Sequence, residues 1–369
     1  MPSCMPPSMP DSMFASRPEM MGEGGGMPVS VDAAAMTNDL ARIFVAMGAP
    51  ADDAHQIAHV YVLGDLYGFA SHGVMRVPRI QAGIEAGTHV PGARPDVVRD
   101  GPATVLIDGN SALGVAVALA AMRTAISKAR DVGIGCVGVV NSNHFGMAGY
   151  YVRLAAAEGM IGVTMCNGAP GMAAFGGKRA VLGTNPVAIG APTHGKPIAL
   201  DFSPASVVRG RTLEAQRKGE QLPEGVAVDS DGRPTTDPTE ALAGAFLPYG
   251  GPQAYKTYGL ALMIDVLCGP LVGAAFGDRV TGSADTSVDC NKGDVHIAID
   301  IGRFRDYDAF LDDMDELARM MKDSGDAVLL PGEREHERED ASGGTIVLDD
   351  DMKEQLRELG RRYDVDVAL

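Results

Sequence analysis

Gly133-Ile134-Gly135-Cys136-Val137-Gly138-Val139-Val140 is the stretch on which the fold turns. Its glycines have the G-x-G-x-x-G spacing, and Glu158 follows Gly138 by 20 residues. In a dinucleotide-binding Rossmann unit that motif follows a strand and opens a helix, so that a pyrophosphate meets the helix N-terminus. Here the order is reversed. A small-residue helical pattern over Gly114–Arg130 precedes the glycines, and Gly135–Val140 reads as a strand. Gly133 is then the glycine just past a helix C-terminus. The Rossmann reading is rejected.

Outward from this stretch the pattern keeps alternating. Ala103–Asp108, Ile161–Cys166, Ile198–Phe202 and Asp294–Asp300 read as strands, and Ala148–Glu158 as a helix. The expected fold class is α/β, in layers. Toward the N-terminus, Val31–Met47 carries Leu40, Ile43, Phe44 and Met47 on one helical stripe that Gly48 ends. Ala51–Leu66 follows, with Ile57, Val60, Tyr61 and Gly64 spaced for close packing. Ser71–Pro78 and Arg79–Ala86 read as short helical pieces and Gly87–Pro95 as a loop. Toward the C-terminus, Arg209–Val228 is charged and loop-like, Asp229-Ser230-Asp231-Gly232 is a turn, and Tyr258–Phe276 reads as a buried helix. Phe310–Asp323 is amphipathic, Asp349–Arg362 is a capped helix, and Pro331–Asp340 is a run of alternating charge expected as a solvated loop.

Residues 1–28 stand apart, with seven of the 20 methionines, six prolines and the run Gly24-Gly25-Gly26. This piece is expected to be a disordered tail, with Met27 an alternative start. The whole chain of 369 residues is 46% hydrophobic, enough for two domains and a sizeable core. Its 31 basic and 48 acidic residues give a net charge of −17, which argues against nucleic acid or an anionic membrane as partner. No stretch offers the roughly 20 nearly uncharged residues of a membrane span. A basic start followed by an apolar core is missing, so no secretory leader is expected. Cys4, Cys136, Cys166, Cys268 and Cys290 are scattered and never at C-x-x-C spacing. A reducing, cytoplasmic compartment follows as the expectation.

Four segments carry candidate chemistry. In Ser71-His72-Gly73-Val74-Met75-Arg76-Val77-Pro78, Ser71 is placed to cap a helical turn and Pro78 to stop it. His72 and Arg76 then share a face. A guanidinium grips a carboxylate through two hydrogen bonds, and an imidazole moves the proton that accompanies hydride transfer. A polar capping turn is the competing reading. Asn141-Ser142-Asn143-His144-Phe145-Gly146 lies between a strand and a helix, where free backbone N–H groups can receive an anion or cofactor, or simply form a capped turn. Gly176-Gly177-Lys178-Arg179 and Gly183-Thr184-Asn185-Pro186 suit phosphate, or are ordinary loops. Asp201, at the end of a strand, could orient a histidine. His55 and His59 have zinc-ligand spacing, but no third ligand lies near, and no metal is expected.

Together these segments resemble the malate/L-lactate dehydrogenase family that is unrelated to the Rossmann enzymes. That family includes sulfolactate and ureidoglycolate dehydrogenases and the piperideine-2-carboxylate reductases. The resemblance runs from about Val31 to the C-terminus. It rests on SHGVMRVP at 71–78, NSNHFGMAGYY at 141–151, GTNPVAIGAP at 183–192, PEGVAVDSDGRPTTDP at 223–238, YKTYGLAL at 255–262 and LLPGE at 329–333. It implies a sulfolactate-dehydrogenase-like α/β fold with a large mixed sheet and flanking helices. Residues 29–95 and 305–369 would form a helical domain from both chain ends, and 96–304 the NAD(P)-binding domain.

The resemblance also implies an NAD(P)-dependent malate/lactate-type dehydrogenase of small 2-hydroxy/2-oxo acids, working as a homodimer with NAD or NADP. It makes His72 the general acid/base, with Ser71 and Asp201 as relay partners. Arg76 and Thr184 would hold the substrate. His144, Phe145, Gly146, Met147, Ala148, Lys256, Pro331, Gly332, Glu333 and Arg334 would meet the cofactor. Reduction of a cyclic imine acid, as by a piperideine-2-carboxylate reductase, is the alternative chemistry. A cofactor-binding protein without turnover is the alternative class. It is motivated by departures from the family pattern at Phe69, Ala70 and Pro204, where proline removes a backbone donor. Val226 and Thr257 also depart, standing for the usual tryptophan and glycine.

Overall fold

The computed structural model describes residues 29–283 and 285–369, so the expected tail over 1–28 lies outside the described residues. At the centre is a seven-stranded mixed sheet in the order β2-β3-β4-β13-β5-β8-β9. Its strands are β2 (Asp96–Asp100), β3 (Thr104–Asp108), β4 (Ile134–Val140), β5 (Met160–Cys166), β8 (Val187–Ala191), β9 (Ile198–Phe202) and β13 (Asp294–Asp300), while the short strands β6 (Met172–Ala173), β7 (Ala180–Leu182), β10 (Ala227–Val228), β11 (Pro234–Thr235) and β12 (Ala245–Phe246) form a second sheet. Within this sheet only β3 and β4 pair in parallel. β13 arrives from far along the chain and lies antiparallel between β4 and β5. That insertion separates this sheet from a doubly wound parallel one.

The deciding glycines do packing work. Helix α4 (Gly114–Val132) ends at Gly133, whose φ of 94° is the left-handed C-terminal cap anticipated from sequence. At Gly135 a Cβ would sit 2.0 Å from the Ala125 carbonyl oxygen, so its absence lets α4 lie on β4. The motif touches helix and strand, and leaves no cradle for phosphate.

One face of the sheet is covered by α4 and by α5 (Ala148–Ala157), both rich in alanine, and their interior is continuous with α1 (Ala33–Ala46) and α2 (Ala51–Leu66). The other face packs Met165, Val187 and Val295 against Ile264 and Cys268 of α8 (Tyr255–Cys268). The helix expected over Tyr258–Phe276 thus starts earlier, stops before Gly269-Pro270, and is not wholly buried. Leu260, Leu262, Met263 and Val266 are exposed along its outer side.

Three further expectations change. The pattern assigned to a helix from Val31 begins as strand β1 (Val29–Asp32), paired antiparallel with β14 (Thr345–Leu348), so both chain ends meet in a two-stranded sheet. Such a short strand exists only through its remote partner. The loop expected over Arg209–Val228 contains helix α6 (Arg209–Lys218), in which only Thr212 and Ala215 are buried, too few to leave a stripe in the sequence. The loop expected over Pro331–Asp340 contains α10 (Glu333–Ala341), which ends a segment docked through Pro331 on the Ala199 N–H.

Candidate active site

The segment 70–78 is two 3-10 turns, Ala70–His72 and Val74–Arg76, joined at Gly73 and followed by α3 (Val77–Ala86). Ser71 lies inside the first turn and caps nothing, which corrects the expected N-cap. Its Oγ instead reaches His72 Nδ1 at 2.9 Å. Pro78 does not stop a turn; it stands in the first turn of α3, where a missing N–H is harmless.

What fixes this segment comes from α2. Asp65 Oδ2 accepts the Val74 N–H at 2.8 Å. A Cβ at Gly73 would lie 2.1 Å from the same carboxylate, so only glycine lets the chain approach it. Burial pushes the Asp65 carboxyl up to about 7, opposed by that hydrogen bond.

The chemistry-bearing side chains converge over this scaffold. The His72 ring lies 5.3 Å from the His144 ring, centroid to centroid. Arg76 Nε donates to the Ser71 carbonyl at 2.5 Å, which turns its terminal nitrogens elsewhere. Arg76, His144, Tyr61, Arg79, Ile80, His89 and Ser283 line a cavity of about 10 Å³, room for about one water. Burial, then the Arg76 charge, pushes His72 down to about 3. Burial, then Arg76, His72 and Lys292, hold His144 well below the usual imidazole range. Both imidazoles are neutral at pH 7. Burial and neighbouring Arg79 lower Arg76 to about 10, and the Tyr61 phenol opposes this. Among the described residues no carboxylate pairs with Arg76.

Beneath the site lies a second polar set. Lys292, Asp294 and His296 fall on alternate positions leading into and along β13, and so share one face. Lys292 Nζ bonds Asp294 Oδ1 and sits 4.8 Å from the Phe145 ring centroid. Burial works against its charge, but Asp294 more than offsets this and holds Lys292 at about 12. Sequence reading missed Lys292, Tyr61, Asp65, Arg79, His89 and Ser283. The available signal was Tyr61 and Asp65 four apart on a helix that otherwise reads as packing.

The remaining expected site residues fall in separate places. In the turn before α5, Gly146 N–H goes to His144 Nδ1 at 3.1 Å, and Gly149 N–H goes to Asp201 Oδ2 at 2.7 Å. One backbone donor expected to be free for an anion, that of Gly146, is therefore taken, as is that of Gly149 in the first turn of α5. Phe145, Met147 and Ala148 are buried. Asp201 faces the N-terminus of α5 and Arg153, and no hydrogen bond joins it to His72 among the described residues. Burial raises Asp201 to about 6. Thr184 accepts from Ser203 Oγ through its carbonyl at 3.2 Å, and no hydrogen bond links it to Arg76 or His72 among the described residues. Lys256 lies 5.9 Å from the Tyr255 ring centroid at the start of α8.

Pro331 and Gly332 lie on the Ala199 backbone, and Glu333 binds Lys322 at 2.5 Å, with Arg334 next in α10. Gly332 has φ 90°, and a Cβ there would sit 3.1 Å from Arg153 Nη2. Arg153 Nε and Nη2 are buried without hydrogen-bond partners. Arg153 Nη1 donates to the Gly149 carbonyl at 3.0 Å, and this cradle of glycine and partly unsatisfied guanidinium fits a phosphate-bearing cofactor. Of the other candidates, Arg179 pairs with Asp278, and His59 packs edge-on against Tyr150.

Residues 31–357 match the family model of malate/L-lactate dehydrogenase. The malate/(S)-sulfolactate dehydrogenase of Methanothermus fervidus is 44% identical over 330 residues, 89% of this chain and 96% of that protein. A (2R)-3-sulfolactate dehydrogenase (NADP(+)) of Chromohalobacter salexigens is 33% identical over 85% of this chain and 92% of its own length. Among solved structures, sulfolactate dehydrogenase from Methanocaldococcus jannaschii superposes with a TM-score of 0.86 at 40% identity, covering 92% of this chain and 98% of that one.

Proposed function

The chain belongs to the malate/L-lactate dehydrogenase family, and we propose that it uses NAD or NADP to move a hydride to and from C2 of a small 2-hydroxy/2-oxo acid. One observation carries the reading: a neutral, half-buried His72 stands beside Arg76, a guanidinium with no protein carboxylate. Arg76 takes the substrate carboxylate. With Nδ1–H donating to Ser71 Oγ, His72 Nε2 keeps its lone pair and accepts the 2-hydroxyl proton as the hydride leaves C2. In reduction the same nitrogen returns a proton to the oxygen at C2. The bound carboxylate also offsets the Arg76 charge, which raises the His72 pKa toward the ordinary imidazole range and readies it as an acid.

The cofactor, when bound, supplies or takes the hydride. Arg153 and the 331–334 segment would hold its phosphates, with backbone at 144–148 and Lys256 as further contacts. Thr184 would be a further substrate contact. Asp201 would serve the site by holding α5 rather than by touching His72. The exposed apolar side of α8 supports a homodimer built on that face.

The test is NADH and NADPH oxidation with pyruvate, oxaloacetate, sulfopyruvate and piperideine-2-carboxylate, run on the wild type and on His72→Ala. Turnover of a 2-oxo acid that His72→Ala abolishes, with cofactor binding kept, is the expected result. Turnover of the cyclic imine alone would replace the 2-oxo acid reading, and silence on all four would defeat it.

A further inference from the structure

Ser71 is held from three sides. Its Oγ reaches His72 Nδ1 at 2.9 Å, its carbonyl accepts from Arg76 Nε at 2.5 Å, and its Cβ faces the first turn of α6. The residue of α6 that meets it is Gly210, which lies within the helix and has no left-handed backbone to require a glycine. Within a helix alanine is favoured over glycine by about 0.5–1 kcal/mol, so local conformation argues against the residue found. The reason lies across the contact. A Cβ on Gly210 would stand 2.7 Å from Ser71 Cβ and 3.3 Å from Ser71 Oγ. Carbon atoms in contact settle at about 3.5–4.0 Å, so any side chain here pushes α6 and Ser71 about 1 Å apart. The helix is the firmer side. Thr212, two residues on, is wholly buried, and Ala215 packs with Leu222, Ala227, Ala241 and Phe246. None of the three residues of the turn Ala70–His72 is fully buried. Ser71 is therefore the side that yields, and a shift of about 1 Å takes its Oγ beyond hydrogen-bond reach of His72.

We infer that Gly210 is a positioning residue: its missing side chain lets α6 seat Ser71 so that the Ser71 hydroxyl holds the His72 ring in one orientation and one tautomer. The inference rests on the reading of His72 given above and adds how that histidine is held. Gly210 brings no functional group and acts through Ser71 alone. The catalytic segment is then braced from two elements, by Asp65 of α2 under Val74 and by Gly210 of α6 against Ser71.

Gly210→Ala favours the helix, so circular dichroism and the thermal midpoint should stay as in the wild type or rise. The kcat for the preferred 2-oxo acid should nevertheless fall about 100-fold, with KM changing far less, since a misplacement of about 1 Å is enough for such a loss. In a Ser71→Gly background no Cβ remains to be pushed, and adding Gly210→Ala should then cost less than about twofold. An unchanged kcat in Gly210→Ala, a fall in kcat matched by a lowered midpoint, or equal costs in the two backgrounds would overturn the inference while leaving the dehydrogenase reading intact. A second readout needs no turnover: the ring 15N shifts of His72. The wild type should carry its proton on Nδ1, and Gly210→Ala should show a mixture of the two tautomers. Identical shifts in the two proteins would overturn the inference. Were the wild type silent on all four test compounds, the dehydrogenase reading would fall, and the His72 shifts alone would decide for or against Gly210.

Discussion

Arg76, half-buried, and Lys292, buried, are two cations whose charges both bear on one imidazole, His144. Lys292 has Asp294 against it and a Phe145 ring beside it. Arg76 has a backbone carbonyl, a cavity and another arginine. A cation that brings its own carboxylate is finished as a piece of structure. One that lacks it is poised for an anion from outside. The same residue type in two surroundings thus separates what holds the site from what uses it.

Replacing each cation by methionine should break the two regions in opposite ways. Arg76→Met should lower kcat/KM for a 2-oxo acid by about a thousandfold or more, while stability in chemical denaturation stays the same or rises, because a half-buried charge without a carboxylate partner is gone. Lys292→Met should destabilise by about 3–5 kcal/mol, since it strands Asp294 without a partner inside the sheet. A large loss of stability in Arg76→Met and none in Lys292→Met would reverse the comparison.

The next largest effect concerns Asp65, which ties the catalytic segment to α2. Asp65→Ala leaves the Val74 N–H without its acceptor and should cost about 1–3 kcal/mol, with a fall in kcat as His72 loses its fixed place. The folded carboxyl, near 7, lies above its ordinary value of 3.8. Its contribution to stability is therefore full below about pH 4 and lost as the pH rises through about 7. Asp65→Asn keeps an acceptor for Val74 and cannot ionise. Its unfolding free energy should fall less than that of the wild type between pH 4 and pH 7; parallel curves would show that Asp65 is already ionised at low pH.

These contrasts bear on what could be read in advance. The reversed order of helix and glycines decided against a Rossmann unit because α4 and β4 are long and strongly patterned. Ser71, His72 and Arg76 were legible because they sit within six residues of one another. Their partners were not. Asp65, Tyr61 and Lys292 reach the site from α2 and from the approach to β13, through contacts that no local spacing encodes. Asp201 shows the reverse error. A carboxylate near a strand end suits a histidine, yet the nearer claim on it was the Gly149 N–H at the start of α5. Helix α6 and strands β1 and β2 escaped notice for a shared reason. Their faces are mostly exposed, so tertiary pairing forms them without leaving a hydrophobic period.

The smallest change in structure would give the most direct test: following His72 by 15N NMR, free and with oxalate bound. Free His72 should titrate far below an ordinary histidine, near 3, because burial and Arg76 both oppose its charge. Oxalate on Arg76 should raise that value by more than one unit, while His296, buried beside the paired Lys292, stays unmoved. A free His72 that titrates near 6.5, or one that oxalate does not shift, would contradict the claim that the unpaired arginine is where substrate and proton chemistry meet.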